Sequence, residues 1–490
     1  MKKLIPILIV LFLLGLILRL YLLPSHLFFG PEQGRDMLVI RDIVVNHKLT
    51  LIGAKTDISG IFHGPFFYYL ASIPFTFFQG NPLAVSIFFV VLHALAVPLL
   101  YVLVFEITGK KRVSVIAAAL FALSFQGIVY ARWLSNPPLS ILFVILFFLF
   151  LIRFLKGKLW NLIGAAVMYG FLGQVEFINY VLFGAVLIAV FFRYMRIWRR
   201  TPIPILFLAV VIGSICAFGT YVLFDLRHDF LITTSLIGLF KGGGYSQAFF
   251  PAAIGIGTMY IKEVAMTFGF LQLVWGMIGI GLLIYGWYVV RRTQKLADIV
   301  LLWAVVPVIP LLAFRHSILE QIFVGLIPAW IVGVSLGIET LWKKSVGLGM
   351  TVLLVFLLSN LFSYFRYIPE SEHVFFQKSQ ARIRYSDELK VVHAIYTHAQ
   401  GKPFYFQSFT IPIFWQDGWT YLFWYIGSKT YHYVPVEEDK SIIYVIIPNI
   451  YDDPFLSLFQ KNWYNDTVST WGKLTYGFSI GEFAIEERQK

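Results

Sequence analysis

Glu32 and Arg35 stand three positions apart in PEQGRDM, residues 31–37, just beyond the first long apolar run. A carboxylate can take the proton of an attacking hydroxyl, and a guanidinium can bind phosphate through two parallel hydrogen bonds. The stretch around them, residues 24–82, also holds Asp36, Arg41, Asp42, His47, Lys48, Lys55, Asp57 and His63, in a chain that is 59% hydrophobic. Most connections between elements are short, so a polar loop of this length between apolar runs points to function. The chemistry it suits is transfer from a phosphate-bearing substrate, with cations for the phosphate and a carboxylate for the acceptor hydroxyl.

Further ionisable residues fall at the ends of apolar runs: Arg132 in ARWLSNPP, Glu176 in FLGQVEFINY, Arg315 and His316 in FRHS, and Glu320. The middles of the runs are nearly free of charge, whereas an ion-coupled transporter places carboxylates at mid-bilayer. Arg132, Arg315, His316, Glu176, Lys55 and His63 join Arg35 as candidate substrate ligands. Asp36, one helical turn from Glu32, is the second candidate acid. Arg19 is expected to snorkel to the interface. Asp225 to Asp229 read as the start of a solvated loop. A buried Glu32–Arg35 salt bridge is the purely structural alternative for the loop's acidic pair.

The elements that must position these groups are membrane helices. Mean hydropathy is +0.77, and only 13% of residues are charged. Apolar runs recur to residue 365, and about 20 residues cross a bilayer. The net charge of +13 comes from short basic loops, which set orientation and give no reason to expect nucleic acid. With Lys2 and Lys3 inside, the expected crossings are 4–23, 83–107, 113–130, 138–154, 160–174, 178–193, 203–224, 269–290, 298–314, 318–340 and 346–365. Residues 33–47 are expected as a surface helix. Residues 65–79 are too short to cross and carry Pro74, so they are read as interfacial or re-entrant. This choice puts every basic cluster on one side and residues 24–82 on the other. The single cysteine, Cys216, excludes an intramolecular disulfide.

Residues 366–490 then form an extracytoplasmic domain. A helix is expected over 380–400, stopped by Gly401, and strands in PFYFQSF, SIIYVIIPN and FSIGEFAIEE. Asp453–Pro454 marks a further helix start. The aromatics Trp415, Trp419, Tyr421, Phe423, Trp424 and Tyr425 are assigned to core and membrane contact ahead of sugar stacking. The fold class is an all-α polytopic membrane bundle of about eleven crossings, residues 1–365, with a small α/β domain, residues 366–490.

PEQGRDMLVIRDI followed by GIFHGPFFYYL resembles the C-type membrane glycosyltransferases, in the branch of bacterial protein mannosyltransferases and aminoarabinose transferases. That family carries D-E-x-R-Y in its first outer loop, then a K/H-P-P-like turn before a juxtamembrane helix. The arginine aligns with Arg35, which puts Glu32 at the principal acidic position and Gln33 where a second acid is usual. His63-Gly64-Pro65 matches the turn with Gly64 in place of a proline. The resemblance implies sugar transfer with inversion from a polyprenyl-phosphate donor to a glycan, lipid or protein acceptor outside the cytoplasm, by a multi-pass plasma-membrane protein. Glu32 is then the base, Arg35 with Arg132 or Arg315 the phosphate ligands, and His63 a donor contact. A divalent cation, Mg or Mn, is a possible cofactor, weakened by Gln33. A flippase of lipid-linked sugars and a ligase or polymerase of whole glycans are the alternatives.

Overall fold

The structure is a computed structural model and describes residues 4–241, 248–315, 319–370, 382–412, 414–436, 441–450 and 452–490. Seven helices among the described residues are long and apolar enough to cross a membrane: Ile5–His26, Pro82–Thr108, Ile203–Arg227, Leu273–Val290, Lys295–Phe314, Glu320–Lys344 and Val346–Tyr367. Lys111–Leu123 and Phe125–Arg132 make an eighth, bent by 52°. The shorter apolar helices Leu139–Leu155, Asn161–Val175 and Ile178–Arg193 lie where three further crossings are expected. The Phe66–Phe77 helix, with Pro74 inside, has 12 residues. At about 1.5 Å per residue it falls well short of a bilayer.

The bundle is sealed by small residues and ring contacts. Asn161–Val175 packs along Ile203–Arg227, and Leu273–Val290 along Ile327–Lys344. The basic clusters converge on shared acids. Arg112 grips Glu339 at 2.6 and 3.0 Å, and Lys343 lies 3.9 Å from the same carboxylate. Arg153 and Lys156 both hold Glu106. Arg193 and Arg291 both face Asp298. These loops therefore share one end of the bundle in pairs.

Two expectations within the bundle are corrected. Arg19 does not snorkel: its side chain is fully buried and donates to the carbonyls of Gly15, Ala122 and Phe121 and to His93 Nδ1. Residues 225–268 are not one solvated loop, because they contain the helices Leu231–Phe240 and Phe249–Thr267. Asp225 is buried and accepts from the backbone N–H groups of Ile232 and Thr233 and the Thr233 hydroxyl, fixing the first turn of the Leu231–Phe240 helix.

Beyond Tyr367 the chain builds a four-stranded sheet in the order β1-β2-β4-β3, with β1 Tyr405–Ser408, β2 Ile442–Pro448, β3 Lys473–Ile480 and β4 Phe483–Gln489. β1 runs parallel to β2 and the other pairs are antiparallel. The single strand expected in FSIGEFAIEE is a hairpin, because Gly481 takes φ +54° and turns the chain between Ile480 and Phe483. The expected helices are present as Tyr385–Ala399 and Pro454–Asp466, the latter capped by Asp453, which accepts from the Leu456 N–H at 2.9 Å.

The sheet module is clamped to the polar loop by the Asp417–Ile426 helix, which packs on the Pro31–Val45 helix. A Cβ at Gly34 would collide with the Asp417–Gly418 peptide, so glycine at this position sets the approach of the two helices. Tyr421 donates to the Gly80 carbonyl, Trp424 stacks on Phe75, and Arg41 lies 5.3 Å above the Trp424 ring. Trp419, Tyr421 and Phe423 are buried. This aromatic run is core and docking surface.

Candidate active site

The Pro31–Val45 helix carries the site. It starts at Gly30, with Pro31 in its first turn, and Gln33 reaches back to accept the Gly30 N–H at 3.1 Å. Gln33 also donates to the Leu134 carbonyl at 3.3 Å and is buried. Its amide is therefore a structural tie between this helix and the segment after Arg132. A carboxylate there would lose the donor that Leu134 receives.

Glu32 follows from that tie. It lines a cavity of about 560 Å³ with Phe28, Gln126, Tyr130, Trp133, Glu320 and Pro412 among its walls. It has no hydrogen-bond or ion-pair partner among the described residues. The residue is exposed at the cavity wall, with protein crowded around its carboxyl. That enclosure raises its pKa above the ordinary carboxylate value; Arg35 opposes the rise, and Asp36 and Asp57 add to it. The Glu32–Arg35 bridge does not form.

Arg35 pairs instead with Asp36, through Nε at 2.9 Å and Nη2 at 2.8 Å to the same oxygen. Tyr68, on the Phe66–Phe77 helix, donates to that oxygen as well, at 2.9 Å. Asp36 is buried, and burial raises its pKa against the pull of Arg35 and Tyr68. Asp36, expected from the sequence as a second acid, is the partner that holds Arg35 through one carboxylate oxygen. The guanidinium keeps about a third of its side chain exposed, with its remaining N–H donors available to a ligand.

The loop after this helix folds back on itself. Gly53 donates to the His63 carbonyl at 2.8 Å, and His63 donates to that of Ala54 at 2.9 Å. Lys55 bridges Phe62 across the loop and is exposed. The Gly64 N–H donates to the Gln174 carbonyl at 2.8 Å, and a Cβ at 64 would collide with Gln174 Oε1. Proline fits neither requirement, which accounts for Gly64 in the family's proline position.

This closure sets His63 beside Glu176, at the C-terminal end of the Asn161–Val175 helix. His63 Nδ1 accepts the Phe177 N–H at 3.3 Å and lies 3.9 Å from Glu176 Oε1. Burial, helped by the Arg35 charge, lowers His63 to about 4. Burial and the neighbouring Asp57 carboxylate push Glu176 up to about 8. At pH 7 the two face each other uncharged, so the contact is not an ion pair. With Nδ1 accepting, the His63 proton sits on Nε2. Asp57 acts on both Glu32 and Glu176, and Arg35 on His63, so these five residues form one electrostatic cluster. Asp57 had only its place in a polar loop to mark it.

Other candidates lie elsewhere. Arg132 is fully buried, and its guanidinium holds the carbonyls of Arg19 and Tyr21 at the end of the first span. It is a clamp on that helix end. Arg315 is exposed at the end of the Val308–Phe314 helix with φ +53°, and it is not among the cavity's lining residues. His316 lies outside the described residues. Glu320, Gln126 and Tyr130, which wall the cavity, had no assigned role in the sequence because they sit at helix ends far apart in the chain.

A divalent cation fits poorly. No three His, Cys, Asp or Glu side chains converge on one point among the described residues. Gln33, where a second acid is usual, is committed to the Gly30 and Leu134 backbone, and Asp36 Oδ1 to Arg35 and Tyr68.

Comparison with known proteins agrees with this architecture. Residues 62–219 match the profile of the dolichyl-phosphate-mannose-protein mannosyltransferase family. That segment includes His63, Arg132 and Glu176 and leaves out Glu32. No curated protein sequence matches the chain. Among solved structures, ArnT of Cupriavidus metallidurans bound to undecaprenyl phosphate shares 10% identity over 99% of this chain and 97% of that one, with TM-score 0.60. Its apo state gives 12% over 98% and 97%, with TM-score 0.64. The oligosaccharyltransferase AglB of Archaeoglobus fulgidus, in complex with an inhibitory peptide and a dolichol-phosphate, gives 13% over 88% of this chain and 64% of that one, with TM-score 0.53. The chain thus carries a segment, residues 62–219, similar to this mannosyltransferase family, and over nearly its whole length it has the multi-pass membrane fold of ArnT.

Proposed function

We propose that the chain moves a sugar from a polyprenyl-phosphate donor to a hydroxyl of an extracytoplasmic acceptor, with inversion at the sugar carbon. The observation that carries this is Glu32, unpartnered at the wall of a 560 Å³ cavity and next to the half-open Arg35 guanidinium. ArnT, which shares the fold, has been solved with undecaprenyl phosphate, a ligand of the donor class proposed. In the transfer, Glu32 takes the proton of the acceptor hydroxyl as its oxygen attacks the anomeric carbon. The bond from that carbon to the phosphate oxygen breaks, and the electron pair leaves on the lipid phosphate. Arg35 meets the charge that develops there. His63, neutral and protonated on Nε2, donates a hydrogen bond to the same group without adding charge. A raised Glu32 pKa improves it as a base near neutral pH.

The polar loop faces away from the cytoplasm in this reading, because the basic clusters pair up at one end and such clusters favour the inside. The plasma membrane is the proposed location, and the sheet module lies outside.

The test is Glu32→Gln in the full-length protein, assayed for transfer from polyprenyl-phosphate sugars. Transfer should fall by about 10²–10⁴-fold, the usual worth of a positioned base, with thermal stability unchanged. Near-parental transfer would remove Glu32 from the base role.

A further inference from the structure

A second hollow, of about 490 Å³, lies in the sheet module over its edge strand β1. Tyr405 and Gln407 alternate on β1, so both side chains fall on one face. The Pro454–Asp466 helix brings Trp463 onto that face and then ends. Thr467 and Trp471, on either side of the Val468–Thr470 turn, complete the wall with Phe414.

The hollow is amphipathic. Trp463 and Trp471 meet edge to face at 6.2 Å. Phe414 lies 6.4 Å from Trp463 and keeps 47% of its surface exposed. Rings that gather around open space, outside the module's own core, mark a contact site. Between them stand polar groups with nothing to bind. The two indole N–H groups, the Gln407 amide N–H and the Thr467 hydroxyl have no hydrogen-bond partner among the described residues, although Trp463 is only 5% exposed. A buried indole N–H ordinarily finds an acceptor within the protein. Gln407 Oε1 is taken by the Tyr405 hydroxyl at 2.8 Å, which orients the amide and leaves its N–H donors to a ligand. Among the described residues no carboxylate lines the space, and its one charge is the exposed Lys490.

Ring faces beside idle donors suit a pyranose. Its flat C–H faces stack on aromatic rings, and its hydroxyl rim both accepts and donates hydrogen bonds. The volume lies in the range of small-ligand sites. Phe414 stands two residues from Pro412, which lines the cavity of Glu32, and two residues span at most about 7 Å of chain. One loop therefore borders both spaces. We infer that the hollow binds a pyranose unit of the acceptor, which is a glycan longer than the part that enters the cavity. Held by Trp471, Trp463 and Gln407, that unit tethers the glycan while a hydroxyl elsewhere on it reaches Glu32. The assignment to the acceptor rests on the proposed transfer reaction; saccharide binding by the hollow does not.

Saturation-transfer difference NMR on the full-length protein, in a detergent without a sugar head group, tests this with maltose, cellobiose, lactose and N,N′-diacetylchitobiose as probes. At least one should receive saturation on its ring protons. Trp471→Ala should weaken its binding at least about tenfold. Thr467→Val, which keeps the shape of the side chain and leaves every ring in place, should weaken it about two- to tenfold at parental thermal stability. The inference stands if either folded variant loses affinity. It falls if none of the four sugars binds, or if both variants bind as the parent does. Added to the transfer assay, the sugar that binds should compete with the acceptor, and absence of competition would overturn the assignment to the acceptor. Binding retained with no transfer from any polyprenyl-phosphate donor would defeat the proposed reaction and leave the saccharide site standing.

Discussion

Glu176 and His63 show how burial decides what a titratable group does. Each would be charged or partly charged in water near neutral pH, and each is held neutral here. Since Glu176 is protonated below about pH 8, raising the pH through 8 creates a new anion next to the proposed phosphate site. Transfer should therefore decline on that limb. Glu176→Gln keeps the shape of the protonated acid and cannot ionise. Its pH profile should lose the decline near 8 while transfer at pH 7 stays within a few-fold of the parent. A pH–rate profile of both proteins checks this; an unchanged alkaline limb would assign the decline to another group.

Tyr68 belongs to the same scale. Its hydroxyl is a partner of the buried Asp36 oxygen that also holds Arg35. Tyr68→Phe should destabilise by about 1 kcal/mol and let Arg35 drift, weakening donor binding more than it slows turnover. The split between KM and kcat reads this out. Local sequence spacing offered two partners for Arg35, Glu32 at three positions and Asp36 at one. The choice was made by Tyr68, which reaches Asp36 from 32 residues further along, and no pattern within PEQGRDM contains that information.

Among elements, the juxtaposition of the Pro31–Val45 and Asp417–Ile426 helices matters most. Gly34 permits it, and the helix that bears Glu32 is thereby braced by the sheet module. Gly34→Ala should destabilise by about 1–3 kcal/mol, the usual cost of overpacking. It should also lower transfer although every side chain of the cluster is intact. Thermal melting and the transfer assay, measured together, test this; full activity at parental stability would detach the module from the site. The element pattern itself was legible where periodicity was long. The surface helix after the first span, the non-crossing helix with Pro74 and the Asp453 cap all fell where hydropathy and capping residues put them. The Phe249–Thr267 helix was missed because Lys262 and Glu263 interrupt an apolar run and mimic a loop. The β3–β4 hairpin was missed because Gly481 sits inside what reads as one strand.

For the whole molecule, the crossings came through in the sequence because each needs about 20 apolar residues whatever its neighbours are. The cavity did not, because it is assembled from five separated stretches, with Pro412 of the sheet module closing part of the wall. Orientation is open to direct measurement. In a background with Cys216 replaced by alanine, Ser59→Cys and Lys158→Cys each place one exposed thiol, in the polar loop and in a basic turn. A membrane-impermeant maleimide added to intact cells should label the first and spare the second. The opposite pattern would turn the molecule over and remove the extracytoplasmic reaction.

The buried Arg19 has a consequence for biogenesis. Its guanidinium is satisfied by His93 and by carbonyls at positions 121 and 122, which leave the ribosome about a hundred residues later. Until then the guanidinium, in the last turn of the helix, has only the Gly15 carbonyl of that helix as partner, at a cost below the about 2.5–3.5 kcal/mol that translocon scales give a charge at a helix centre. The nascent first segment is therefore a poor resident of lipid by itself. It should stay at the insertion machinery until the third crossing emerges, and the two should partition into the bilayer as one unit.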